Sequence, residues 1–156
     1  YLCARILIKR FKNILIKMID FNYELEFALD DEAVYASWLT KVIESENKKL
    51  GEINYIFCDD EYLLAINVEY LNHDTLTDII SFDYSLGNEL NGDIFISIER
   101  VRDNANDFNV SFNEELKRVM VHGVLHYCGY KDKSESDELI MRQKEDEKIQ
   151  LVHVEK

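Results

Sequence analysis

Apolar and polar residues alternate along 21–27 (Phe-Asn-Tyr-Glu-Leu-Glu-Phe), which predicts a strand with one buried face. The period then lengthens to that of a helix. Asp30 or Asp31 is placed to cap it, and Val34, Trp38, Leu39, Val42 and Ile43 form its inner face as far as about Lys49, with Gly51 as the stop. Residues 53–57 are β-branched and aromatic, as in a short strand. Asp59 or Asp60 caps a second helix, which draws on Tyr62, Leu63, Ile66, Val68 and Tyr70 and ends near Leu71. A polar loop with a solvated His73 follows, then a strand over 78–84. Asn91-Gly92 marks a turn, and 93–98 returns antiparallel to the strand before it. Residues 99–107 read as an exposed helix. Ser111-Phe112-Asn113-Glu114 has the form of a capping box and opens a helix with Leu116, Val119, Met120, Val124 and Leu125 inward. Ser134 caps a last helix to about Leu151, with Leu139, Ile140 and Ile149 as a sparse apolar stripe and Glu145, Asp146 and Glu147 in water. The sum is an α+β fold, a small mixed β-sheet of about four strands packed with helices.

Composition narrows this picture. The 156 residues suit a single domain able to bury its own core, and 47% apolar with 31% charged residues excludes a disordered chain. Residues 1–17 form a basic, apolar extension with five cations and no acid. Met18 opens a segment of different composition and is the expected natural start, so that 18–156 is expected to form one domain. The extension is too short and too charged to span a membrane, and no membrane role is expected. The net charge is −13, and beyond residue 17 the chain carries 13 cations against 31 acids. Proteins that grip long nucleic acids are usually basic, so any work on nucleic acid here is local, metal-assisted or guided by a basic partner. Cys3, Cys58 and Cys128 are odd in number and form no C-x-x-C, which fits a reducing cytoplasm rather than a disulfide framework.

The candidate chemistry lies in one stretch, Val121-His122-Gly123-Val124-Leu125-His126-Tyr127-Cys128-Gly129-Tyr130-Lys131-Asp132. His122 and His126 are four residues apart and share one helix face, a turn from each other. Neutral imidazoles so placed are a ready pair of metal ligands. Gly129 stands where a left-handed residue ends a helix, and the turn it allows brings Asp132 back towards the histidines. The spacing H-x-x-x-H-x-x-G-x-x-D copies the zinc site of metzincin proteases, with Gly123 in place of the general-base glutamate and a carboxylate in place of the third histidine. This zincin-like helix is expected to bind one zinc ion, although two imidazoles and a carboxylate also suit iron, nickel or manganese. The blander alternative, one core and one surface histidine, is weaker, because two polar rings on an apolar helix need a partner. Cys128 reads as a buried structural thiol.

His122-Gly123-Val124-Leu125-His126-Tyr127-Cys128-Gly129-Tyr130-Lys131-Asp132 resembles the H-G-x-L-H-L-x-G-Y-D-H of the YbeY family, zinc-dependent endoribonucleases that mature bacterial ribosomal RNA. Residues 70–82 are similar to that family's Y-R-x-x-D-x-x-T-D-V-L-S-F, and Gly92-Asp93-Ile94 to its G-D-I before a strand. Two departures stand out. Asp132 falls on the family's third histidine and Lys131 on the aspartate before it; Leu71 falls on the family's arginine.

The resemblance implies a single-strand-specific, zinc-dependent endoribonuclease acting on the 3′ end of small-subunit ribosomal RNA and in ribosome quality control. Its partners would be precursor ribosomal RNA and small-subunit ribosomal proteins, in the cytoplasm. Zinc on His122, His126 and Asp132 would keep a water in its fourth position, acidify it and polarise a phosphoryl oxygen. Gly123 is expected to leave room for substrate. The protein base is open: Asp78 and Ser81 are candidates by their place in the second motif, with strand-end hydrogen bonding as their plainer role. Arg118, a turn before His122, meets either a phosphate or Glu114 or Glu115. One rival is a non-catalytic assembly factor docking on basic ribosomal proteins. A metalloprotease is the other, opposed by Gly123.

Overall fold

The computed structural model describes residues 18–73 and 76–153; the basic extension 1–17 lies outside them. Four strands form one mixed sheet: β1 (Met18–Tyr23), β2 (Lys49–Cys58), β3 (Ile79–Asp83) and β4 (Glu89–Ser97), in the order β1-β2-β4-β3. β1, β2 and β4 run parallel, and β3 pairs antiparallel with β4. Five helices accompany it: α1 (Glu32–Ser45), α2 (Asp60–Leu71), α3 (Ile98–Phe108), α4 (Phe112–Tyr127) and α5 (Glu135–Ile149), the last running into a 3-10 turn, Gln150–His153. The α+β architecture with a four-stranded mixed sheet is the one expected.

The two central strands are covered on both faces, so they read as continuous apolar runs. Ile53, Tyr55, Phe57, Ile94 and Ile96 point into the main core with Trp38, Leu39, Val42, Ile43, Met120 and Val124 from α1 and α4. The opposite face carries Ile56, Cys58, Ile80 and Phe95, closed by Leu63 of α2. Two buried donors tie α4 and α5 to this frame. Tyr55 donates to the Met120 carbonyl at 2.7 Å, and Trp38 Nε1 to the Lys148 carbonyl at 2.8 Å.

Four capping residues act as expected: Asp31, Asp59, Ser111 and Ser134 each accept from the backbone three residues on. Other expectations are corrected. The first strand begins at Met18, and 24–26 bend away from the sheet. α1 ends at Ser45, closed by Asn47 at φ 57°; Gly51 lies inside β2, where a side chain would overlap Asn91. Tyr35, not Val34, is buried on α1; in α2 Val68 and Tyr70 are exposed. Asn91-Gly92 is no turn but part of β4; the hairpin turns at Gly87, φ 58°. Gly92 is needed there because a Cβ would overlap the Tyr127 hydroxyl, which donates to the Phe82 carbonyl at 2.9 Å. On α5 the inner face is Met141, Glu145 and Lys148, while Leu139 and Ile140 are exposed.

Candidate metal centre

α4 delivers both histidines, half-buried and one turn apart on one face, and its C-terminus delivers the rest. Cys128 ends the helix and Gly129 follows at φ 104°. Gly129 N–H then reaches the His126 carbonyl at 3.0 Å, and Tyr130 N–H reaches the Leu125 carbonyl at 3.1 Å. These two bonds are a Schellman closure, which reverses the chain tightly. The reversal sets Asp132 beside the histidine pair. His122 Nε2 and His126 Nε2 are 2.9 Å apart, and Asp132 Oδ2 is 3.2 Å from each.

Both outer ring nitrogens are tied off. His126 Nδ1 lies 2.9 Å from the Tyr130 carbonyl, which can only accept, so Nδ1 carries the proton. His122 Nδ1 lies 2.7 Å from Glu145 Oε2 and donates to that carboxylate. With Nδ1 protonated in both rings, the two Nε2 atoms present lone pairs, and so does Asp132 Oδ2. In the neutral rings three lone pairs thus converge, an arrangement that a cation resolves, whether a metal ion or a proton. The triangle they form approaches the ~3.3 Å ligand spacing of a tetrahedral ion with ~2.0 Å bonds. His122 shows the same pull electrostatically. Burial lowers its pKa, but Glu145, Asp132 and Asp78 outweigh this and raise it, so the site draws positive charge. His122, His126 and Asp132 are together the donor set that could hold a metal ion.

Glu145 corrects an expectation: it is 5% exposed, not in water. It accepts from Arg118 Nη1 at 3.1 Å as well as from His122, and Arg118 Nη2 reaches Asp146 at 2.8 Å. Arg118 therefore pairs with α5, not with Glu114 or Glu115. The run Asp146, Arg118, Glu145, His122 is a line of charge-assisted bonds that orients one imidazole. The signal for it was Met141, Glu145 and Lys148 at helical spacing, a single inward face.

A cleft of about 280 Å³ adjoins the donors, lined by Asp78, Arg118, His122, Asp132, Arg142 and Glu145, with Ile79, Asn104, Phe108, Glu115 and Val119. Burial raises the Asp78 carboxyl above its usual range, and the Glu145 charge adds to this. Glu115 is raised too, first by burial. Ser81 sits in mid-β3 opposite Ile94 and is not among the cleft's lining residues. Gly123 also turns away from the cleft: a Cβ there would meet Ile94 Cδ1 at 3.0 Å and Ile79 Cδ1 at 3.1 Å. Its smallness lets α4 lie close on the sheet and does not make room for substrate. Cys128 is half-buried, burial pushes its thiol up to about 11, and it is not grouped with the three donors.

The family profile described as Endoribonuclease YbeY matches residues 20–153. This chain belongs to the YbeY endoribonuclease family. Proteins named Endoribonuclease YbeY from Flavobacterium johnsoniae and Flavobacterium psychrophilum are each 72% identical to it, over 88% of this chain and 99% and 98% of theirs. One from Christiangramia forsetii is 62% identical, over 88% of this chain and 96% of its own. The solution structure of a Thermotoga maritima protein shares the fold, with a TM-score of 0.66 at 24% identity over 86% of this chain and 89% of that one. YbeY membership accounts for all three matched motifs. Gly92 seats the Tyr127 hydroxyl, Asp78 and Ile79 of the second motif line the cleft, and the histidine stretch builds the donor triangle.

Proposed function

We propose that the chain is an endoribonuclease of ribosomal RNA maturation that cuts single-stranded RNA with one zinc ion held by His122, His126 and Asp132. The observation that carries this reading is the convergence of two imidazole Nε2 atoms and a carboxylate oxygen, with the outer ring nitrogens held by Glu145 and the Tyr130 carbonyl. Zinc there supplies Lewis acidity, acidifying water and polarising a phosphoryl oxygen. The protein's own part is positioning. Glu145 and Arg118 hold His122, the closure at Gly129 holds His126 and Asp132, and the cleft beside them admits a phosphodiester. Asp78, raised by burial and lining that cleft, is the candidate for moving a proton. Its backbone also serves the sheet, accepting from Ser97 N–H at 2.9 Å.

A peptidase reading lacks its base, since position 123 holds no carboxylate and is packed against Ile94 and Ile79. The strongly acidic charge favours basic ribosomal proteins as partners alongside catalysis, and the resemblance to the family points to the 3′ end of small-subunit RNA as the cutting site. Among the described residues no helix is long and apolar enough to cross a membrane. Unpaired Cys58 and Cys128 accord with the cytoplasm.

Purified protein should cleave a single-stranded oligoribonucleotide, and elemental mass spectrometry should find about one zinc per chain. His126→Ala should lose both while its circular dichroism stays native. Cleavage that survives in His126→Ala, or a wild type that takes up no metal when incubated with zinc, would overturn the reading.

A further inference from the structure

The buried stripe of α3 does not stop where its core stops. Ile98, Val101 and Ala105 are buried at helical spacing, and Phe108 is the next position of that stripe. There the helix ends, closed by Asn109 at φ 56°. Phe108 is consequently 57% exposed and lines the mouth of the cleft that holds His122 and Asp132. One turn earlier, Asn104 lines the same cleft, its side-chain amide unpaired among the described residues.

Two guanidinium groups line the same cleft, with different duties. Arg118 is 12% exposed and committed to Glu145 and Asp146. Arg142 is 55% exposed, and its ion pair among the described residues is a loose one, 3.9 Å to the Glu145 oxygen that Arg118 already holds. Arg142 lines a cleft that also holds four carboxylates, Asp78, Glu115, Asp132 and Glu145, which would repel a phosphodiester. A planar cation with spare donors is the group that offsets such repulsion, because it matches phosphate oxygens two at a time.

We propose that Phe108 and Arg142 form the substrate clamp of this cleft: the phenyl ring stacks on a nucleobase of single-stranded RNA, and the guanidinium grips the phosphate beside the scissile bond. The clamp rests on the endoribonuclease reading and extends it to substrate choice. A base held in a duplex has no free face for Phe108, so the ring itself selects unpaired RNA.

The test is binding and cleavage of a labelled single-stranded oligoribonucleotide by the zinc-loaded protein, followed across a salt series. Phe108→Leu should weaken binding about tenfold, whereas Phe108→Tyr should keep it. The loss should disappear for an oligonucleotide abasic at the stacked position. Arg142→Gln should weaken binding to intact and abasic RNA alike and lower the salt slope by about 0.7, the share of one single-strand phosphate. Both variants should raise KM more than they lower kcat, with metal content and thermal unfolding unchanged. Equal loss on abasic RNA would refute stacking, and an unchanged salt slope in Arg142→Gln would refute the phosphate contact. Either result leaves the nuclease reading intact if the parent still cuts. A parent that neither binds nor cuts RNA would instead sink that reading.

Discussion

Glu145 holds His122 at 2.7 Å and Arg118 at 3.1 Å with the two oxygens of one carboxylate. Removing its charge therefore acts twice. Glu145→Gln should weaken metal binding roughly 10–100-fold through His122, measured by competition against a chromophoric chelator. Glu145→Ala should in addition cost about 2–3 kcal/mol in urea unfolding, because Arg118 keeps only Asp146 as partner. A full-affinity Glu145→Gln would mean that His122 is oriented by packing alone. The donor triangle was legible in the sequence because a helix and one glycine turn generate it from eleven consecutive residues. Glu145 was not, since it meets His122 across 23 residues and sits on a helix rich in charge. Only the spacing of Met141, Glu145 and Lys148 marks it as inward, and Leu139 and Ile140 offer a competing apolar stripe.

Elements were legible where the cause is local. Asp31, Asp59, Ser111 and Ser134 open their helices by bonding their own first turns. Asn91-Gly92 misleads for the opposite reason: a turn signal by composition, it is placed in a strand by tertiary contacts. Gly92 admits the Tyr127 hydroxyl, and the Asn91 side chain accepts from Glu52 N–H at 2.8 Å. Gly92→Ala should therefore cost about 2–3 kcal/mol by overpacking, read by chemical denaturation. The Cβ would also meet the Phe82 carbonyl oxygen and the Tyr127 Cζ at 2.5 Å, so adding Tyr127→Phe should not restore the loss. A Gly92→Ala protein as stable as the parent would contradict this seating of α4 on β4.

Across the whole molecule the carboxylates divide by sign. Burial raises Glu46, but hydrogen bonds and charges from Lys148, Tyr130 and Lys144 outweigh it and hold its pKa below the ordinary 4.5. Asp60 is likewise lowered, burial being outweighed by Arg100 and Ser97. A lowered carboxyl contributes stability that is present above its unfolded pKa and lost as pH falls through the folded value. Asp78 is raised by burial, so it costs stability above its folded pKa and nothing well below its unfolded one. In metal-free protein, Asp78→Asn should thus raise the unfolding midpoint at neutral pH, with the gain fading on acidification. Glu46→Gln should lower it at neutral pH, and that deficit should shrink in acid. Urea titrations at several pH values check both, and a pH-independent difference in either variant would remove the ionisation argument.

The Gly129 closure has a consequence for motion. One donor of the triangle lies beyond the helix end, and Glu145 ties the triangle to α5. Any ion bound there would fasten the α4–α5 corner, so opening that corner would require releasing the ion. Local unfolding at 128–134 should then become rarer as free metal rises, by the same mass action that governs ligand-linked stability. Amide hydrogen exchange would register this as protection growing with zinc concentration at those amides, while distant β1 amides that exchange by local fraying keep their rates. The corner would be a latch whose opening frequency reports the metal supply.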